Sequence, residues 1–472
     1  MDNFERFIIE NDGTDTARLV MARREWPAPE DALLEEINAK ALAINTIECR
    51  RKLRKKVAEW VAETGLVYPS TLCAEQCSSS DTARYKAGIA ARVISEYAGA
   101  GASTGSTSKK KGRIADLTGG LGVDSRAFSE VAERVLYNEM NPELAAAARH
   151  NFKVLGADNI TVRNFEATPE NIKSILSGSE GTTKNSQEHK DFHGDFQPDI
   201  IFLDPARRDS AGKKVFLLED CTPDVLSMLP GLFEASRFIL LKLSPMADIT
   251  MAAERLDRAY ESYLEKTSGV GWNGQWIREI HIVASGGECK ELLILMDREW
   301  KGEYSLACRE DGKTLAFTQE EAAKAAATFP ESTFARIIFE PGKSLTKAGV
   351  SNALCQRFGL VKLARFTHLY TIAEPLSDSE LKKRIGVFKD FGKVYPVREI
   401  LPLNKASLKD VGRRYPHSEV TAKNIPMSSD ELRKRLKVSS GDDAHIFGAR
   451  IETPYKEDNY LIVTESRFTN QL

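Results

Sequence analysis

From residue 113 onward the chain alternates between short apolar runs and stretches whose apolar positions return every three or four residues. Ile114 to Leu117, Arg134 to Asn138, Asn159 to Val162, Asp199 to Leu203 and Phe238 to Leu243 read as strands. Val123 to Val131 and Pro142 to Leu155 read as helices, the second with proline in its first turn. This alternation predicts a parallel sheet with helices on both faces. Ile277 to Ser285 and Cys289 to Met296 follow with no helix between them, and Gly286-Gly287-Glu288 joins them as a hairpin. Upstream, residues 1–98 read as mainly helical: Ala32 to Glu63 has helical spacing, and a helix starts near Ser80 or Asp81. Residues 99–112 have the composition of a flexible linker, and 178–195 that of an inserted surface loop. After Trp300 a helix is expected over Phe317 to Thr328, then a small α+β unit with a strand at Ile337 to Phe339, a segment from Leu345 to Phe358 and further elements from Leu360. The expected organisation is a helical region (1–98), the linker (99–112), an α/β domain (113–300) and a C-terminal α+β domain (330–472).

Composition changes this picture little. The 472 residues, 42% apolar and 28% charged, suit two to four globular domains, and a net charge of −2 carries no global signature. There is no membrane-length apolar run and no apolar signal core, so a cytoplasmic protein is expected. The seven cysteines are scattered, and no spacing suggests a metal. Charge matters locally. Arg50, Arg51, Lys52, Arg54, Lys55 and Lys56 are six bases in seven residues, a solvated helix face or a phosphate contact. Residues 380–440 hold fifteen bases against seven acids, an excess of eight that leaves the rest of the chain near −10. Phe388, Phe391, Tyr395 and Tyr415 interleave with these bases, a pattern that suits nucleic acid.

Candidate chemistry gathers at predicted strand ends. The first strand breaks into Asp116-Leu117-Thr118-Gly119-Gly120-Leu121-Gly122 and then a helix. Such a turn exposes backbone N–H groups to a nucleotide cofactor. Glu139 ends the next strand, 23 residues after Asp116, where a carboxylate can accept ribose hydroxyls. Glu166 follows the third strand beside Phe165, placed to accept from an adenine amino group. Asp204-Pro205-Ala206-Arg207 ends the fourth. A carboxylate and a fixed proline backbone can hold an acceptor in line, and Arg207 can stack a base or anchor a phosphate. The glycine spacing fits a dinucleotide poorly, with Ser125 at the last fingerprint position.

The glycine segment resembles the first motif of class I S-adenosylmethionine (SAM) methyltransferases, with Thr118 in place of its first glycine. Asp204-Pro205-Ala206-Arg207 resembles the fourth motif of base-modifying members, Asp-Pro-Pro-aromatic in amino-group methylators and Asp-Pro-Pro/Ala-Arg in uracil-C5 methylators, with Arg207 where the former carry an aromatic. The cysteine of the uracil-C5 enzymes is missing, since that place reads Leu243-Ser244-Pro245-Met246. Together with Glu75-Gln76-Cys77-Ser78-Ser79, and with Ala422 to Ser428 and Leu432 to Leu436, the chain is similar to a bacterial group of SAM methyltransferases with a C-terminal THUMP-like domain. The resemblance implies a Rossmann-like, seven-stranded α/β sheet with an antiparallel hairpin edge, and methylation of a tRNA or rRNA base. It implies SAM held by Asp116, Thr118, Gly119, Gly120, Gly122, Glu139 and Glu166, and the acceptor held by Asp204, Pro205 and Arg207. Gln76, Ser78 and Ser79 are further candidates for the pocket wall, and Lys242, Ser244 and Asp248 for the acceptor side. The alternatives are a protein or small-molecule methyltransferase, and an RNA-binding module with a vestigial SAM site.

Overall fold

The structure, a computed structural model, describes residues 2–23, 25–101, 112–178, 195–206, 218, 221–269, 274–372 and 374–466. The chain forms two compact units, Met1–Arg278 with Leu293–Gly302, and Glu279–Leu292 with Glu303–Leu472. Among the described residues no helix is long and apolar enough to cross a membrane.

The first unit opens with α1 (Asn3–Glu10), α2 (Thr16–Ala22), α3 (Ala39–Leu53), α4 (Ala58–Ala62), α5 (Thr71–Gln76) and α6 (Ser80–Gly101). Short polar residues start several of them: Asp2 accepts from Glu5 N at 2.7 Å and Asn38 from Ala41 N at 3.0 Å. The predicted run from Ala32 to Glu63 is therefore broken into pieces rather than continuous. Phe4, Phe7, Ile8, Leu34, Leu42 and Ile47 form a core that also takes in Ala147 of the α/β part. The basic run at the end of α3 works internally. Arg50, almost fully buried, and Arg54 both bond Asp12, at 3.3 and 2.9 Å, and Arg50 also reaches the Glu63 carbonyl. Lys52 and Lys56 hold the Glu75 carboxylate and carbonyl of α5, each at 2.6 Å. These four bases anchor α5 and α1's trailing loop.

The α/β part follows as β1 (Arg113–Asp116), α7 (Val123–Val131), β2 (Arg134–Asn138), α8 (Pro142–Val154), β3 (Ile160–Arg163), α9 (Ile172–Ser177), β4 (Ile200–Leu203), α10 (Val225–Ala235), β5 (Phe238–Leu243) and α11 (Ile249–Ser268). β6 (Ile277–Ser285) and β7 (Glu288–Asp297) come next as the expected hairpin. Strands run in the order β3-β2-β1-β4-β5-β7, the first five mutually parallel. The order reverses between β1 and β4, so the carboxyl ends of these two strands flank the crevice where open α/β sheets bind ligands. β4 is buried at all four residues, as a strand covered on both faces must be. Asn151 docks the N-terminal region onto α8, accepting from Val67 N at 3.0 Å and donating to Val67 O at 2.8 Å.

The second unit takes the outer half of the hairpin and adds β8 (Ser305–Glu310), parallel to β6, and β9 (Lys313–Thr318), antiparallel to β8. The seven expected strands, β1 to β7, are all present, and β8 and β9 are added to β6 within this unit. The helix expected over Phe317 to Thr328 is shorter. Phe317 is buried in β9, and a Thr318–Glu321 capping box starts α12 (Gln319–Lys324) only after it. Next come β10 (Ile337–Pro341), α13 (Lys343–Ala348) and α14 (Ser351–Phe358), the two helices parted by Gly349 at φ +70°. β11 (Leu360–Ala364), β12 (Thr367–Ile372), α15 (Asp378–Lys389), β13 (Gly392–Pro402), α16 (Lys405–Arg414), β14 (His417–Lys423), α17 (Ser429–Leu436), β15 (Ser439–Thr453) and β16 (Lys456–Thr464) complete it. Their order is β11-β12-β10-β13-β16-β15-β14, with β14 and β15 the parallel pair. Leucines, isoleucines and valines of α16, α17, β14, β15 and β16 form one core, and Ile338, Leu369, Tyr395, Phe447 and Ile462 belong to another.

Candidate active site

Asp116 ends β1 in a fully buried position. Its Oδ2 accepts from Ser125 Oγ at 2.6 Å and its Oδ1 from Thr118 N at 3.1 Å. One carboxylate therefore braces both the start of the glycine turn and the first turn of α7. Burial pushes Asp116 up to about 7, against the two hydrogen bonds that favour its charged form.

The three glycines answer different constraints. A Cβ at Gly119 would meet the Tyr137 ring at 2.1 Å. Gly122 sits at φ +84° as the N-cap of α7, and a Cβ there would meet Phe152 at 2.6 Å. Gly120, at φ +53°, has open space around it. The first and third glycines let the loop lie against β2 and α8, while the second faces the space a ligand needs. Tyr137 also donates to Gly120 O at 2.6 Å.

Glu139, half-buried at the end of β2, turns onto this loop. Its Oε2 accepts from Gly120 N at 2.9 Å and its Oε1 from Asn141 N at 2.8 Å. A carboxylate offers about four acceptor positions, so capacity remains for the hydroxyls of a ribose. Asn138, fully buried beside it, donates to Leu117 O and Phe165 O and accepts from Phe165 N, at 3.1–3.2 Å. Through Asn138 the ends of β1, β2 and β3 are held together. Glu166 follows Phe165 on the exposed side, its carbonyl accepting from Asn171 Nδ2 at 3.1 Å.

Thr118 stands where the resembled motif has a glycine, and its hydroxyl has a use. Its Oγ1 accepts from Asp204 N at 2.6 Å, joining the glycine turn to the end of β4. Pro205 is buried, and Ala206 bonds Thr222 in both directions, closing the segment behind it. Lys242 of β5 reaches Asp204 Oδ2 at 2.5 Å. Arg207 lies outside the described residues. Asp116, Thr118, Gly119, Gly120, Glu139, Asp204 and Pro205 are thus brought to one end of the sheet, with Gly122 opening α7 behind them and Glu166 at its β3 margin.

The segment between α5 and α6 lies on α7 and adds a network that no sequence pattern marks. Lys86 is completely buried. Its ammonium bonds Ser78 Oγ at 2.8 Å and pairs with Asp124 Oδ1 at 3.0 Å, while Ser78 donates to Asp124 Oδ2 at 2.7 Å. Asp124 is in the first turn of α7, where a carboxylate also suits the helix dipole. Nothing in the spacing of Lys86 distinguishes it from an exposed helix lysine. Asn138 was more legible, a polar residue closing an apolar strand. Of the other candidates, Ser79 caps the first turn of α6, accepting from Thr82 N, and Asp248 caps α11, accepting from Met251 N at 2.8 Å. Gln76 ends α5, exposed and without a role in this network.

A second concavity opens at the other end of the strands, walled by Arg113, Asp199, Glu234 and Arg237. Its main cation, Arg237, is spent on a bidentate pair with Asp297 at 2.8 and 3.0 Å, and it is remote from the glycine turn. In the second unit, Phe388 and Tyr395 are core residues. Phe388 stacks on Phe339, and Tyr395 packs on His445 and Phe447. They cannot stack nucleobases. Tyr415 is half-buried beneath Arg398 and Arg414. Lys405 and Lys409 of α16, and Lys434 and Lys437 at α17, are exposed on two helices that pack closely at Gly412, where a Cβ would meet Leu436 O at 2.0 Å.

Comparison with known proteins bears on the fold. Residues 392–466 match the THUMP domain-like family, and residues 338–378 match a ferredoxin-like domain. No curated protein matches the chain. The crystal structure of a "putative methyltransferase" from Porphyromonas gingivalis W83 is similar over 98% of this chain and 97% of that one, with 25% identity and a TM-score of 0.73. A precorrin-6y C5,15-methyltransferase from Geobacter metallireducens GS-15 covers 46% of this chain and 87% of its own, at 14% identity and a TM-score of 0.26. The chain has the class I SAM-dependent methyltransferase fold with a C-terminal THUMP-like domain.

Proposed function

We propose that the protein is a SAM-dependent methyltransferase that modifies a base in tRNA or rRNA. The observation that carries this reading is the Thr118–Asp204 hydrogen bond, which sets a cofactor-type glycine turn against an acceptor-type Asp-Pro segment at the sheet's switch point. The residues fit the cofactor: Gly120 leaves its surroundings open, and Glu139 holds a carboxylate at the turn. Asp116, Thr118, Gly119, Gly120, Gly122, Glu139 and Glu166 would hold SAM, which supplies a methyl group activated on a sulfonium. Asp204 would accept a hydrogen bond from the acceptor, Pro205 would fix the backbone beside it, and Arg207 would stack or anchor the flipped nucleotide. A direct displacement needs little else from the protein, because alignment of the reacting atoms supplies most of the acceleration. The THUMP-like match and the exposed lysines of α16 and α17 support RNA as the substrate.

The test is transfer of a tritiated methyl group from SAM to total RNA from cells lacking this protein. Asp204→Ala is expected to cut labelling about 100-fold while SAM affinity by calorimetry stays within about threefold. Failure to bind SAM would end the cofactor reading. SAM binding without label in RNA would end the RNA reading and turn the search to proteins and metabolites.

A further inference from the structure

β5 reads Phe-Ile-Leu-Leu-Lys-Leu, and Lys242 is the one charged residue in an otherwise buried apolar strand. A buried ammonium costs several kcal/mol in lost hydration unless it is paired, so its place calls for a reason. Its side chain is 12% exposed and lies against the Asp204 carboxylate, itself 35% exposed, at the carboxyl end of the sheet. β4 and β5 pair in parallel with Leu203 opposite Leu241, so each charged residue follows directly on a paired leucine. The pair therefore presents a hydrogen-bond donor and a hydrogen-bond acceptor side by side, at the place where the acceptor must sit. An ammonium has three donors, enough to serve Asp204 and a substrate atom together.

We propose, building on the function above, that Lys242 and Asp204 together read the Watson–Crick edge of the acceptor base. Lys242 donates to a ring nitrogen or keto oxygen, and Asp204 accepts from the neighbouring N–H, whose nitrogen is the atom methylated. That edge is where a nucleobase sets a donor beside an acceptor in one plane, whereas a ribose hydroxyl or pyrimidine C5 does not. In the transfer, the nitrogen lone pair forms the new N–C bond as the C–S bond breaks with its electrons passing to sulfur. The nitrogen's proton leaves through Asp204 to water. Methylation at C5 would instead need a thiolate. Burial pushes the Cys73 and Cys77 thiols up, Cys77 to about 11, and these are the cysteines that interact electrostatically with Glu139 and Lys242. They are protonated at neutral pH.

The experiment pairs nucleoside analysis of RNA labelled by the wild-type protein with two variants, Lys242→Met and Lys242→Gln. The label is expected on a Watson–Crick-edge nitrogen of a purine or pyrimidine. Lys242→Met is expected to lose about 100-fold in labelling rate, the scale of removing one preorganised donor, and Lys242→Gln about 10-fold, with calorimetric SAM affinity unchanged in both. The glutamine variant keeps a neutral donor and guards against simple misfolding, which a melting curve with and without SAM would reveal. Label at C5 or on the ribose would overturn the proposal while leaving RNA methylation intact. Full activity in Lys242→Met would overturn it too. No label in any RNA, with SAM bound, would overturn both this proposal and the RNA reading.

Discussion

At the scale of single residues, the site is a set of polar groups held where burial would otherwise forbid them. Asp116 is the clearest case. Its folded value of about 7 lies above the ordinary carboxylate range because burial penalises the charge. The stability it contributes is full below about pH 4 and is lost as pH rises through 7. Asp116→Asn keeps an acceptor for Thr118 N but has no proton to lose, so no buried charge develops in it as pH rises. Urea unfolding should therefore show wild type losing its advantage over Asp116→Asn between about pH 4 and pH 7, by something on the order of 4 kcal/mol. Asp116 and Glu139 were legible in the sequence because each follows an apolar strand at a meaningful interval. Thr118 was read only as a departure from a motif. Its value lies in a bond to Asp204, 86 positions away, and no local pattern carries such a contact. Phe388 and Tyr395 failed as nucleobase platforms for the converse reason: interleaving with bases does not say which face of an element is buried.

At the scale of elements, hydrophobic periodicity did well where an element is long and its caps are explicit. α7 spans the predicted residues, and β5 does too. Periodicity did poorly where one element hands over to another within a residue or two, as at β9 and α12. The seating of α6 on α7 was invisible, because it depends on a buried ion pair. Lys86→Met would strip Asp124 of its cationic partner in a nearly buried site. Breaking a buried pair costs about 3 kcal/mol or more. The variant should melt several degrees lower, and SAM should protect it less than it protects wild type. Replacing Lys86 and Asp124 together with Met and Leu should recover much of the melting temperature but not the protection, since Ser78 would still lack its partner.

At the scale of the whole molecule, the charge asymmetry between residues 380–440 and the rest was legible from counting, but its distribution was not. Several of those bases are committed to acids, such as Arg414 to Glu399, Arg433 to Glu419 and Lys423 to Glu340. The exposed lysines of α16 and α17 remain as the electrostatic face. Lys405→Glu with Lys409→Glu should weaken tRNA binding across sequences and reduce the slope of log affinity against log salt by roughly one per lost phosphate contact. Filter binding across a salt series would check this, and an unchanged slope would remove α16 from the interface. The course of the chain has a different consequence. It crosses between the two units three times, after Arg278, Leu292 and Gly302. No single cut separates the residues of one unit from those of the other. A fragment ending at Gly302 keeps β6 but loses β8, the strand that lies along it, and leaves a bare edge that invites aggregation. Limited proteolysis should accordingly yield nicked, co-purifying fragments rather than two independent domains. For the same reason the second unit cannot be moved as one contiguous stretch of sequence: a segment beginning at Glu303 would arrive without β6, the strand its own β8 pairs with.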